Sequence, residues 1–200
     1  MRMPVIPSAP ETPAGPTILA RLRAETRPYH DALEAGAFNE SLRAGAPTAA
    51  GTAHFLERMY GFLQPYETAL RQHEAEFGPA WELPQRYRAH LIEEDLGLST
   101  GKPGLPLCPV LPPLHTRPQL LGALYVLEGS TLGGQVINRQ LERACIPLRR
   151  YFAGYGERTG PMWKAFCQLL TEAVTPATAD EVVASASLTF QCLDAWINKL

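Results

Sequence analysis

An all-α fold, a single irregular bundle of about six helices, is predicted by three features of this chain. Apolar residues recur at spacings of three, four and seven over long segments, as the buried face of a helix requires. No run shows the alternation of a half-buried strand or the turn residues of a hairpin. The periodic segments are also punctuated by Gly and Pro where helices stop.

In order along the chain, the first helix is predicted from Ile18, where Ile18, Leu19, Leu22, Tyr29 and Leu33 form one face and Thr17 is placed to cap it. Pro28 falls inside this helix and must bend it or leave a carbonyl unpaired. The second helix is predicted from about Thr48 to Phe77, with Phe55, Met59, Phe62, Leu63, Tyr66 and Leu70 as its apolar face, Pro65 as a kink, and Gly78 and Pro79 as its end. A third, Pro84 to Leu96, stops at Gly97. The stretch "STGKPGLPLCPVLPPLHTRP" holds six prolines, which rule out both a helix interior and a central strand, so it is a connector. The fourth helix runs from Pro118 to about Cys145 and is closed by Pro147. Two more follow, near Pro161 to Val174 and Ala177 to Lys199, the last opened by the acidic first turn of "TADE".

Composition narrows the function classes. Two hundred residues, 46% hydrophobic and 19% charged, suit one globular domain with a substantial core. That domain is predicted to span 18–200, behind a disordered Pro-rich tail over 1–17. The tail, "MRMPVIPSAPETPAGPT", has five prolines and no continuous apolar run, so it reads as neither signal peptide nor membrane span, and the chain is expected to be cytoplasmic. A net charge of −2 without basic runs argues against nucleic acid or an anionic membrane as partner. Cys108, Cys145, Cys167 and Cys192 lie 37, 22 and 25 residues apart, a spacing that fits reduced, mostly core cysteines instead of a zinc site or a disulfide framework.

Several chemistries lack their motifs. No histidine has a glutamate three residues before it, which removes the Glu-x-x-His pairs of di-iron bundles, and there is no His-Glu-x-x-His zinc motif. "GSTLGG" lacks the lysine of a P-loop, and "EGSTLGG" is not a nucleophile elbow. No flavin or iron–sulfur motif is present.

Two stretches remain. In "LRAETRPYHDALE", His30 and Glu34 are one helical turn apart on one face. A neutral imidazole can hold a metal through one ring nitrogen while the other donates to a carboxylate. The same spacing also fits an ordinary half-buried pair. In "ALYVLEGSTLGGQVINRQL", each interior glycine costs roughly 0.5–1 kcal/mol relative to alanine, so Gly129, Gly133 and Gly134 together give up on the order of 2 kcal/mol. Gly129 and Gly133 share a face and clear a strip of bare backbone, which Gly134 widens. The strip admits either a flat, bulky ligand or a second helix at close range. Ser130 and Thr131 are placed to bond back to earlier carbonyls and bend the helix.

At these two stretches the chain resembles the heme oxygenases, in particular the bacterial ones. "LRAETRPYHDALE" is similar to their proximal-helix motif and "LYVLEGSTLGGQVI" to their distal-helix motif, while helix order and length agree across most of residues 17 to 200. The resemblance implies that heme is both substrate and cofactor, that His30 is the axial iron ligand with Glu34 as its hydrogen-bonding partner, and that Gly129, Ser130 and Gly133 line the distal face, with Gly134 permitting a bend. It places Arg23 and Tyr125 against a heme propionate and leaves the other propionate contact unassigned, Lys164 being one candidate. Where mammalian members carry an aspartate that organises distal water, this chain has Ser130, so the water network is left open.

The implied reaction converts heme, O2 and reducing equivalents to biliverdin, carbon monoxide and ferrous iron. Electrons come from a partner such as a ferredoxin or a flavin reductase, and a phytochrome is a potential acceptor of biliverdin. Two rivals stay open: a heme-binding or heme-transfer protein without turnover, and a helical interaction module in which both stretches serve packing.

Overall fold

A computed structural model describes residues 16–98 and 104–198. Most of the expected 1–17 tail, and Lys199, where the last helix was expected to end, lie outside these residues. The described chain is helical and contains no strand. Its helices are α1 (Ile18–Glu34), α2 (Ala37–Arg43), α3 (Ala49–Gln72), α4 (Leu83–Arg86), α5 (Ala89–Asp95), α6 (Arg117–Arg143), α7 (Arg150–Ala153), α8 (Thr159–Ala173) and α9 (Ala179–Asn198). Short 3-10 turns occupy Glu74–Glu76, Pro79–Trp81 and Gly156–Arg158.

The caps follow from the sequence. Thr17 accepts from the Ala20 amide at 3.3 Å, and Thr116 with Gln119 forms a capping box at the head of α6. Gly97, with φ +60°, ends α5 in the left-handed region. Pro65 removes the amide that would have bonded to the Gly61 carbonyl, and that carbonyl instead accepts from the Cys108 amide at 2.8 Å. The connector is thereby pinned to α3. It also packs so close that a side chain at Gly61 would collide with the Pro106 carbonyl and the Trp196 ring.

Four expectations need correction. The predicted second helix ends at Gln72, and its last residues form a 3-10 turn. The predicted third helix is broken into α4 and α5, because the amides of Arg88 and Ala89 turn inward to Glu67 Oε1, at 2.6 and 3.0 Å. Tyr29, expected on the buried face of α1, is 37% exposed, although Leu33 one turn beyond it packs against the core. The cysteines are free, as expected, but only part of the core: Cys108, Cys167 and Cys192 are half-buried against it, and Cys145 is exposed at the end of α6 with φ +57°. Helices α2 and α7 went unpredicted because seven and four residues are too short to display a helical period.

The core forms around α9, against which both α1 and α6 pack. Gly122 brings α6 so near that a Cβ there would strike the Val182 carbonyl. Arg21 pairs with Asp180 at 2.8 Å, and Asn198 Nδ2 donates to the Leu33 carbonyl at 3.2 Å, so α1 and α9 run parallel. Helix α6 is apolar and long enough to span a bilayer, yet 56% of its most apolar window is buried inside the protein, as in a core helix.

Candidate functional site

Between α1 and α6 lies a cavity of about 430 Å³, within the usual size of small-molecule sites. Arg23, Arg27, His30 and Glu34 come from the α1 side, and the run from Tyr125 to Gly134, without Glu128, comes from the α6 side. Apolar side chains close it: Phe55 and Met59 from α3, Trp163 from α8, and Phe190 and Leu193 from α9. The His30 and glycine-rich stretches, about a hundred residues apart in sequence, thus line one slot.

The His30 side chain is 46% exposed. Its Nε2 stands 3.6 Å from Glu34 Oε1 and its Nδ1 3.5 Å from Asp31 Oδ1. Both separations exceed a good hydrogen bond, so the ring is bracketed by carboxylates and held by neither. It meets the Phe190 ring edge to face, 5.7 Å between centroids. Asp31 was not anticipated as a neighbour. It is tied to Arg27 at 2.8 Å, and that guanidinium holds its carboxyl below the usual range.

On the opposite wall the three glycines separate into two roles. A Cβ at Gly133 would meet nothing within 4 Å, and one at Gly129 would make ordinary contact with the Trp163 ring at 3.6 Å. A Cβ at Gly134 would lie 3.0 Å from the Phe152 carbonyl oxygen, so this glycine is needed for α7 to approach α6. Ser130 Oγ donates to the Leu127 carbonyl at 2.7 Å and Thr131 Oγ1 to the Glu128 carbonyl at 2.6 Å, the back-bonds that their sequence positions suggested. Trp163 stacks on the buried Phe166, 5.7 Å between centroids, and gives this wall a rigid aromatic floor.

Arg23 and Tyr125 line the same cavity. Burial pushes the Tyr125 phenol up, and the Arg23 charge pulls it back. Lys164 is exposed and lies outside the lining.

Beneath α6 lies a buried polar network that the sequence did not reveal. Arg86 pairs with Glu128, whose other oxygen accepts from the Tyr155 hydroxyl at 2.7 Å. Glu128, the one carboxylate near the glycine strip, is thereby committed to a structural ion pair. Arg88 sends Nη2 to the Leu127 carbonyl at 2.8 Å. Burial raises the phenols of Tyr151 and Tyr155, with Arg88 opposing the rise in both. Residues 84–96 carry no periodic signal that would have pointed inward, and the partners come from distant parts of the chain.

These residues fit a flat tetrapyrrole. One wall offers an imidazole and the other a patch where a side chain would fill the space; the remaining surface is largely apolar, and arginines stand at the rim for carboxylates. Among the described residues no group of three His, Cys, Asp or Glu is arranged to hold a bare metal ion.

No protein-family model and no curated protein matches the chain. Solved structures do. The heme oxygenase of Leptospira interrogans superimposes with a TM-score of 0.77 at 19% identity, over 92% of this chain and 100% of that one. Heme oxygenase-1 of the cyanobacterium Synechocystis, in complex with heme, gives a TM-score of 0.70 at 19% identity, over 92% of each chain. At this identity the likeness establishes architecture, and the chain adopts the heme oxygenase fold.

Proposed function

We propose that this protein is a cytoplasmic heme oxygenase that binds heme between α1 and α6 and cleaves it, with O2 and external electrons, to biliverdin, carbon monoxide and ferrous iron. The observation that carries the reading is the pairing across one slot of the His30 imidazole with a helix face kept bare at Gly129 and Gly133, within a fold shared with heme oxygenases.

Bound heme supplies the iron that activates O2 and is itself the ring that is opened. The chain's own residues do the rest. His30 would hold the iron through one ring nitrogen, and Glu34, 3.6 Å from the ring, would accept from the other and fix the tautomer. Gly129 and Gly133 let the backbone approach and withhold any side chain that would compete for the metal. Ser130 offers its hydroxyl oxygen on that side. Arg23 and Tyr125 would bind a propionate and so orient the macrocycle in the slot. Phe55, Met59, Phe190 and Leu193 exclude water from the macrocycle. Electrons come from a partner protein, a ferredoxin or a flavin reductase, and a phytochrome is a candidate acceptor for biliverdin.

The test is a titration with hemin followed by a reductant in air. Growth of a Soret band, then its loss with appearance of biliverdin absorbance, supports the reading. A Soret band that persists without biliverdin leaves a heme-binding or heme-transfer protein. No Soret band leaves a helical module whose two stretches serve packing.

A further inference from the structure

We propose that α7 is a brace that fixes how closely the glycine strip of α6 approaches a ligand in the slot, and that Asp95 and Gln135 are the positioning residues that hold this brace at its two ends. The inference rests on the heme reading and adds to it the means by which the bare wall is kept at a set distance.

A helix of four residues has no stability of its own, because nucleating a turn costs more than a single turn returns. Helix α7 is held from outside. At its head Asp95, the last residue of α5, takes three consecutive amides: Oδ1 accepts from Arg149 and Arg150 and Oδ2 from Tyr151, each at 3.0 Å. One carboxylate from another helix thus does the work of an N-cap. At its tail, Gln135 Nε2 donates to the Ala153 carbonyl at 2.6 Å and to Thr159 Oγ1 at 3.1 Å. Thr159 Oγ1 in turn donates to the Gly156 carbonyl at 2.8 Å. The chain leaves α7 through Gly154, whose φ of +55° favours glycine.

Between its two ends α7 touches what the slot uses. Tyr151 and Phe152 line the cavity, and the Phe152 ring stacks with that of Phe55 at 5.9 Å. The Phe152 carbonyl oxygen lies so near Gly134 that a Cβ there would come within 3.0 Å of it. That contact stops α6 from moving towards α7. Gln135, the next residue, stops it from moving away. The strip has no such restraint of its own: glycine is the least restricted residue, and Ser130 and Thr131 commit their hydroxyls to carbonyls of α6 itself. Neither Asp95 nor Gln135 lines the cavity, so both act through α7. A wall fixed in this way limits the size of any group that fits between it and a bound macrocycle.

Two ligands of ferric heme that differ in bulk are the probes, slender cyanide and broad imidazole. Each is titrated into the hemin complexes of the unaltered protein, Gln135→Met, Asp95→Ala and Asp95→Asn. A broad ligand pressed against a fixed wall incurs an overpacking cost that a slender one avoids, so freeing the brace should raise the imidazole-to-cyanide affinity ratio about tenfold in Gln135→Met and Asp95→Ala. Asp95→Asn keeps an acceptor oxygen and should stay nearer the unaltered protein. A loss of stability alone does not move the ratio, because both ligands are measured on the same folded complex. In the heme-free protein, amide hydrogen exchange over residues 129–135 should quicken in Gln135→Met and Asp95→Ala. If Asp95→Ala fails to fold by circular dichroism, Gln135→Met decides the matter. A ratio that is unchanged or lower in Gln135→Met, or exchange there that is no faster, with heme bound normally, overturns this inference alone. Absence of a Soret band in the unaltered protein overturns the heme reading and this inference with it.

Discussion

Gly133 and Gly134 are adjacent in α6 and face opposite constraints: a Cβ on the first meets open space, while a Cβ on the second comes within 3.0 Å of the Phe152 carbonyl oxygen. Alanine at 133 should therefore gain the ordinary helix propensity, about 0.5–1 kcal/mol, and raise Tm by roughly 1–4 °C. Alanine at 134 gains the same propensity but overpacks against fixed backbone, which costs about 1–3 kcal/mol, so Tm should fall. Calorimetry of the two variants checks the opposite signs. If Gly133→Ala also destabilises, the open face is not what that glycine provides. Gly133→Leu should further weaken hemin binding by filling the slot.

If heme binds as proposed, His30→Ala should remove the nitrogen that holds the iron. The ferric heme spectrum is expected to lose its histidine-ligated form and regain it when imidazole is added to the solution. If heme binds as proposed, Glu34→Gln should do much less, because the carboxylate would orient the ring without binding the metal; loss of such a partner typically costs about 10- to 100-fold in affinity. An unaltered spectrum in His30→Ala would remove His30 from the site.

The long helices were legible because an apolar face repeated at helical spacing over several turns cannot be buried by a strand or a loop, and α1, α3, α6, α8 and α9 lie close to their expected positions. The slot was legible in part, since His30 and the glycines sit in short local patterns. The rest was hidden by distance along the chain. Arg86 and Glu128 are 42 residues apart, and Arg88 reaches a carbonyl 39 residues away. Nothing local marks such partners. Nor could the sequence divide the glycines between ligand space and helix packing, because that depends on α7, four residues long and without a periodic signature.

Glu67 gives a pH prediction. Burial raises its carboxyl above the ordinary 4.5, with the Arg88 and Ala89 amides opposing the rise. The folded protein therefore binds this proton more tightly than the unfolded chain. The corresponding stability is fully present below pH 4.5 and is lost as pH rises through the folded value. Glu67→Gln keeps an acceptor oxygen for the two amides and removes the titration. In urea unfolding, the native protein should lose stability relative to this variant as pH goes from 4.5 towards neutrality. A difference that does not vary with pH would show that Glu67 is not the titrating group.

The Arg86–Glu128 pair supplies the sharpest stability test, because both side chains are almost completely buried, at 1% and 2% exposure. Removing one partner leaves an uncompensated charge in the interior, which typically costs about 3–5 kcal/mol. Glu128→Leu should therefore lower stability by about that much, stranding Arg86 and depriving the Tyr155 hydroxyl of its acceptor. Removing both charges is a different matter, since burying the pair was itself expensive. The double variant Arg86→Met with Glu128→Leu should recover most of the loss, leaving the cost of the Arg86 bond to the Trp81 carbonyl and of the Tyr155 hydroxyl. Denaturant unfolding of the two single variants and the double completes the cycle. Losses that simply add would mean that the two side chains are not energetically paired.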